Sequence, residues 1–198
     1  MIVIVAPLAG RIVDSKGSKL PILIGLTSLA FSALVQSTLN DNSSITHILF
    51  GFVFMGIGWG CIFGSAAFAA ISSLPQKLAG TATGALWTFQ NLGGSVGLAV
   101  AGVIFRHEER VSLVNGLALS DIHLTEDQQD LIRSLLSDPD HSKQTLSQFT
   151  TSIADKILPI FENAFIKGYS SAFVFLLCLS VATFIIIALM MKDIKRGK

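Results

Sequence analysis

Long apolar stretches without charged residues dominate the chain and predict membrane-spanning helices. A helix needs about 20 mostly apolar residues to cross a hydrocarbon core of about 30 Å. An isolated strand cannot satisfy its backbone hydrogen bonds in lipid, so each such stretch is predicted to be an α-helix. Four stretches are long enough: residues 20–39, 45–74, 78–105 and 169–191.

The first nine residues are also apolar, but as a helix they would span only about 13 Å, less than half of a bilayer. No basic segment precedes them, so they do not resemble a secretory signal peptide. We therefore expect residues 1–9 to be the end of a helix whose beginning is missing. On this interpretation the chain starts in mid-helix.

Lysine and arginine alternate between the predicted loops, and this predicts the orientation in the membrane. Residues 11–19 contain three basic residues, residues 41–44 contain none, residues 75–78 contain Lys77, and the C-terminal tail contains four. The positive-inside rule therefore places the basic segments, including the C-terminus, in the cytoplasm. The predicted organisation is transmembrane helices over 1–105, an outer or periplasmic loop over 106–168, and a last transmembrane helix with a cytoplasmic tail over 169–198.

The predicted outer loop has a helical pattern of its own. Thr125 followed by Gln128 is a capping-box pattern before an apolar run, and Asp138–Pro139 ends that helix. A second amphipathic helix is predicted over residues 142–158. Both helices are expected to lie on the outer surface or to cap the bundle.

Composition agrees with a membrane protein and excludes other classes. Residues of the set AVILMFWYC make up 51% of the chain, 14% are charged, and the mean hydropathy is +0.65. Because soluble domains average about 25% charged residues, a soluble enzyme is excluded. A net charge of +1 without a basic stripe excludes a nucleic-acid-binding protein.

The predicted spans contain no pattern typical of catalysis or metal binding. Their interiors hold no Asp, Glu, Lys or Arg, no histidine cluster and no Ser/His arrangement, so we expect no enzyme activity, metal or cofactor. Cys61 and Cys178 lie in apolar stretches and are interpreted as packing residues.

Glycine is concentrated in the second and third spans. Eleven of the 17 glycines lie between Gly51 and Gly102, although glycine is unfavourable inside helices. In membranes, small residues at spacings of four let helices approach closely. The alternatives are tight static packing and helices that slide or bend during a conformational cycle. The candidate packing residues are Gly56, Gly60, Gly64, Gly93, Gly94 and Gly97.

A second pattern lies between the half-helix and the first full span, in the predicted loop over residues 10–19. Glycines allow a tight turn there, and an isolated acid, Asp14, stands among three basic residues. The acid could pair locally and face the positive end of a neighbouring helix, as a latch for one state; the alternative is an ordinary solvated loop. We name Gly10, Arg11, Asp14, Gly17 and Lys19 the loop motif.

The loop motif resembles the pattern G-x-L-a-D-r-x-G-r-k of the major facilitator superfamily, with Ser15 and Ser18 in place of usual basic residues. Residues 74–84, residues 90–99 and the long loop before the last span are similar to the fourteen-span drug:proton antiporters of the EmrB/QacA type. The resemblance implies an all-α integral membrane protein that forms the C-terminal end of such a fold, in a bacterial inner membrane.

The resemblance also implies a function and partners. The chain would be part of a proton-coupled multidrug efflux antiporter and inactive alone, with the lipid bilayer, a missing N-terminal half, a small lipophilic substrate and protons as partners. The proton-carrying acid would lie in the missing half, since the spans contain none. The alternative is a short membrane subunit with a structural or regulatory role.

Aromatic and amide residues in the two glycine-rich spans are candidates for part of a substrate path, since such walls suit bulky lipophilic compounds. The alternatives are lipid-facing or core tryptophans, and amides that form hydrogen bonds between helices. The candidate residues are Trp59, Trp87, Phe89, Gln90 and Asn91.

Overall fold

The computed structural model describes residues 1–40, 43–119 and 151–192, and within these ranges all regular structure is helical. The predicted all-α membrane fold is confirmed, and four of the helices are long and apolar enough to cross a bilayer. A 3-10 turn, Gln76–Leu78, precedes α4. The helices are α1 (Ile2–Lys16), α2 (Lys19–Ser37), α3 (Ile45–Ser72), α4 (Ala79–Leu119) and α5 (Thr151–Met190).

The described helices form two compact units. The first consists of residues 1–102 with the described residues from Ala172 onward, and the second of residues 103–119 with 151–171. The first unit contains α1, α2, α3 and the glycine-rich part of α4. The loop motif and all candidate path residues therefore lie in the first unit.

The contact between α2 and α3 is built from small residues. A Cβ added to Gly25 would lie 2.8 Å from the backbone oxygen of Gly58, and one added to Gly58 would lie 2.9 Å from that of Gly25. Ser28 and Ser32 donate hydrogen bonds of 2.7 and 2.8 Å to backbone oxygens of α3. Because neither glycine has a side chain, the two backbones approach closely enough for these bonds to form.

Helix α1 packs against α3 through two of the glycines in the candidate packing set. A Cβ at Gly56 would lie 2.8 Å from the Cβ of Met1, and one at Gly60 would lie 2.8 Å from the Cβ of Val5. The four-residue spacing places both glycines on one face of α3. The apolar start of the chain is thus a helix seated against α3.

The prediction of a loop over residues 10–19 is wrong for residues 10–16, because these residues form the last turns of α1. Polar and charged residues end the apolar stretch there but do not break a helix, which continues until a residue leaves helical geometry. That residue is Gly17, with φ of 89°, and its N–H donates to the Val13 oxygen at 3.0 Å. Helix α2 then begins at Lys19.

Two helices extend beyond the predicted spans. Helix α4 continues past Phe105 to Leu119, and α5 begins at Thr151 rather than Tyr169. The charged residues 106–110 end the apolar stretch without ending the helix, because charged side chains are compatible with helical geometry. The helix predicted before Asp138 lies outside the described residues, as does the first part of the one predicted over 142–158.

The second unit pairs the end of α4 with the beginning of α5. Leu113 and Ala164 are fully buried, and the rings of Phe105 and Phe165 meet edge to face at 5.3 Å. A Cβ on Gly168 would lie 2.7 Å from the backbone oxygen of Phe105. The pair is held by apolar contacts and one close backbone approach.

Candidate functional site

The loop motif is divided between the end of α1 and the start of α2. Arg11 and Asp14 are exposed on the last turns of α1, and Gly10 lies on the same helix with no atom within 4 Å of an added Cβ. Gly17 is the one described residue with positive φ. The turn therefore depends on Gly17, whereas Gly10 leaves open space beside a helix.

Lys19 connects the loop motif to the other end of the chain. Its Nζ donates a 2.8 Å hydrogen bond to the backbone oxygen of Ala188, which is 169 residues away in the last turn of α5. The last carbonyls of a helix lack partners within the helix and carry its negative dipole end. The lysine therefore supplies both a donor and a complementary charge to the end of α5.

A cavity of about 200 Å³ lies between α1 and α3 beside the loop motif. Gly10, Val13 and Asp14 contribute to one wall, and Gly64, Ser65 and Phe68 to the other. Ser65 is buried, and its Oγ has no hydrogen-bond partner among the described residues. Sequence reasoning missed this cavity, because nothing in the spacing of residues on two separate helices reveals it.

The candidate path residues do not form one group. The rings of Trp87 and Phe63 meet edge to face at 5.6 Å, and Trp59 lies one turn before Phe63 on α3. Phe89 is two residues from Trp87, hence about 200° around α4, and it is 74% exposed. Phe63 was missed, although its four-residue spacing from Trp59 was a usable signal.

Helix α4 has two faces of different chemistry. Trp87, Gln90, Asn91 and Gly94 follow the spacing i, i+3, i+4, i+7, which places them on one side of the helix; we call this set the polar α4 face. Phe89, Leu92 and Val96 lie on the opposite side, the apolar α4 face. Both sets are exposed in the described part of the chain.

The candidate packing glycines differ in their surroundings. Gly56 lies against Met1, and Gly60 lies against Val5 of α1. An added Cβ at any of the other four would meet no atom within 4 Å of it in the described residues. These four are Gly64, Gly93, Gly94 and Gly97.

Two polar or aromatic features of α2 and α3 also escaped sequence reasoning. Gln36 is fully buried, and neither its amide nitrogen nor its oxygen has a partner among the described residues. Phe31, Phe50 and Phe54 form an aromatic cluster with ring centroids 4.6 to 6.2 Å apart. Phe31 and Phe54 also line an apolar groove of about 420 Å³ between the two helices.

The described ranges contain no group of three or more His, Cys, Asp or Glu that could hold a metal ion. The first unit contains aromatic rings, amides, hydroxyls and the charged groups of the loop motif, and also His47, Cys61 and Lys77.

Comparison with known proteins identifies the family. The sequence model of the Major Facilitator Superfamily matches residues 1–98, which cover α1, α2, α3 and the first half of α4. This part of the chain belongs to the major facilitator superfamily. The superfamily predicted from the loop motif is thus confirmed, and it comprises transporters rather than enzymes.

Three similar curated proteins are named as exporters, resistance proteins or transporters. The tetracenomycin C resistance and export protein of Streptomyces glaucescens is 31% identical over 104 residues, and the multidrug resistance protein Stp of Mycobacterium tuberculosis is 29% identical over 103. The probable actinorhodin transporter of Streptomyces coelicolor is 32% identical over 108 residues. Each alignment covers 52% of this chain but only 19% of the relative.

No solved structure matches the chain.

Proposed function

We propose that the chain forms part of a proton-coupled efflux transporter for lipophilic organic compounds. The observation that carries the proposal is the polar α4 face, which places two amides and a tryptophan on a helix of membrane-spanning length. Amides in contact with lipid are unfavourable, and they face protein or a water-filled path in membrane proteins. The exporter names of the relatives support the same interpretation.

The polar α4 face would then line a path for substrate together with Trp59 and Phe63. Aromatic rings contact flat, apolar compounds, and a few amides orient their polar groups. The spans predicted over 20–39, 45–74, 78–105 and 169–191 have no acid in their interiors, so we place the group that carries the proton elsewhere in the complete transporter. We therefore expect this chain alone to be inactive in transport.

The topology belongs to the same proposal. The turn at Gly17, the 3-10 turn and the C-terminal tail would lie in the cytoplasm, with the bacterial inner membrane as the location and the segment 106–168 outside. The loop motif would act as a latch, with Asp14 holding one state and Lys19 fixing the end of α5. The basic residues at these three positions support this orientation.

The test is drug efflux from cells that express the complete transporter with alanine at position 90 or 91. Loss of one hydrogen bond to substrate should lower the efflux rate about fivefold. Leu92→Ala is the matched control, because Leu92 lies on the apolar α4 face, and its rate should be unchanged. Equal rates for all variants, or proton-coupled flux by the chain alone in liposomes, would contradict the proposal.

A further inference from the structure

The buried hydroxyl of Ser65 differs from those of several other helical residues in the described part of the chain. Threonines at positions 27, 83, 88 and 183, and Ser180, each donate to the carbonyl four residues earlier at 2.8 to 2.9 Å. Ser65 is 1% exposed, and its Oγ makes no such bond and no other among the described residues. A buried hydroxyl without a partner is unfavourable. The Ser65 hydroxyl is therefore available to form a hydrogen bond with a group that enters the cavity.

The cavity beside Ser65 has room for such a group. Its volume is about 200 Å³, and its walls include Gly10 of α1 and Gly64 of α3. An added Cβ at either glycine would meet no described atom within 4 Å. The absence of these two side chains therefore leaves the space open rather than allowing the helices to touch.

The charge of the cavity favours a cation. Asp14 is its one charged wall residue, and α3 contains no Asp, Glu, Lys or Arg. Arg11 and Lys16 lie on the same helix as Asp14, and Asp14 makes further interactions in the structure. A carboxylate has about four acceptor positions, so it can accept from more than one donor at a time.

We propose that this cavity binds an ammonium or guanidinium group carried on a short apolar stem. The N–H groups would donate to Ser65 Oγ and to the Asp14 carboxylate, and the stem would contact Val13 and Phe68. All four residues line the cavity. The cation is either part of a small molecule or the side chain of a lysine or arginine from another polypeptide. Binding can be measured without transport, so the inference stands or falls separately from the proposed function.

The first experiment measures binding of n-butylguanidinium and n-butylammonium to the purified chain in nanodiscs by saturation-transfer NMR. Saturable binding is expected for both cations and not for n-pentanol, which has the stem without the charge. Equal binding of n-pentanol, or no saturable binding of either cation, would overturn the proposal.

Variants identify the site. Gly64→Ala and Gly10→Ala fill the cavity without a clash. Ser65→Ala removes the hydroxyl acceptor, and Asp14→Asn removes the negative charge. The two polar variants should each weaken binding about tenfold or more, the loss expected for one charge-assisted hydrogen bond. The two glycine variants should weaken binding by occupying the space of the ligand. Gly84→Ala is the matched control, because Gly84 lies in α4 with equally open space. Wild-type binding by a Gly64→Ala chain with a wild-type circular dichroism spectrum would contradict the proposal.

A labelling experiment distinguishes the two sources of the cation. Ala6→Cys, in a chain with Cys61 and Cys178 replaced by alanine, places a thiol in the cavity wall at a position that none of the binding variants changes. If a polypeptide side chain fills the cavity, the thiol is protected from alkylation in native membranes but reactive in the purified chain. If the ligand is a small molecule, the thiol reacts in both and n-butylguanidinium protects it. A thiol that is alkylated freely both in native membranes and in the presence of n-butylguanidinium would overturn the proposal.

Discussion

Two glycine-bearing regions of the first unit differ in what surrounds them. Gly25 and Gly58 lie where α2 and α3 touch, and an added Cβ on either would come within 3 Å of the other's backbone oxygen. Gly93, Gly94 and Gly97 of α4 would meet nothing within 4 Å in the described residues. The comparison shows that glycine-rich composition alone does not identify a helix contact, because the same residue type serves one contact and leaves another face open.

The largest effect should follow from adding a methyl group at the closed contact. Gly25→Ala would place its Cβ 2.8 Å from the Gly58 oxygen and 3.0 Å from the Cβ of Cys61, so the helices must separate. Overpacking of this kind lowers the free energy of unfolding by about 2 kcal/mol. The measurement is unfolding of the chain in mixed micelles.

The matched control for this variant lies at the open face. Gly97→Ala meets no described atom, and alanine is the better helix former, so its stability in micelles should equal or slightly exceed that of the wild type. Equal losses at both positions would remove the distinction between closed and open glycines.

A smaller effect is expected from the hydrogen bonds that the closed contact permits. Ser32→Ala removes the 2.8 Å bond to the Gly51 oxygen and should lower the free energy of unfolding by about 1 kcal/mol. Thr88→Ala is the control, because its hydroxyl bonds within α4 to the Gly84 oxygen. If both variants unfold alike, the interhelical bond contributes nothing beyond an ordinary intrahelical one.

The smallest effect concerns the end of α5. Lys19→Met removes the donor to the Ala188 oxygen, and hydrogen exchange of amides in the last turn of α5 should accelerate about threefold. Lys19→Arg should restore much of the protection, since it keeps a charged donor. Lys16→Met, in the last turn of α1, should leave hydrogen exchange in the last turn of α5 unchanged. If Lys16→Met accelerates that exchange as much as Lys19→Met does, the effect comes from the change in net charge and not from the bond to Ala188.

The existence of the helices was predictable, whereas the ends of several of them were not. Continuous apolar stretches of membrane length allow one regular structure in lipid, which is why α2 and α3 were predicted within two residues at each end. The ends of α1 and α4 were missed, because charged residues such as Arg11 and Arg106 end the apolar stretch while the backbone remains helical. Gly17, with its positive φ, ends α1 inside the segment that the sequence pattern predicted as a loop.

The site was predictable only where it is local in sequence. The turn at Gly17 and the family resemblance of the loop motif rest on neighbouring residues. By contrast, the bond from Lys19 to Ala188 and the cavity beside Ser65 join residues on separate helices. Their positions depend on how the helices pack, which periodicity alone does not determine.

The central claim is that the polar α4 face contacts protein or an aqueous path while the apolar α4 face contacts lipid. The most direct test places spin labels at Gly94 and at Val96 in the complete transporter in bilayers, and measures their collisions with oxygen, which partitions into lipid. We expect frequent oxygen collisions at position 96 and few at position 94. Equal oxygen accessibility at the two positions would show that both faces contact lipid and would contradict the account.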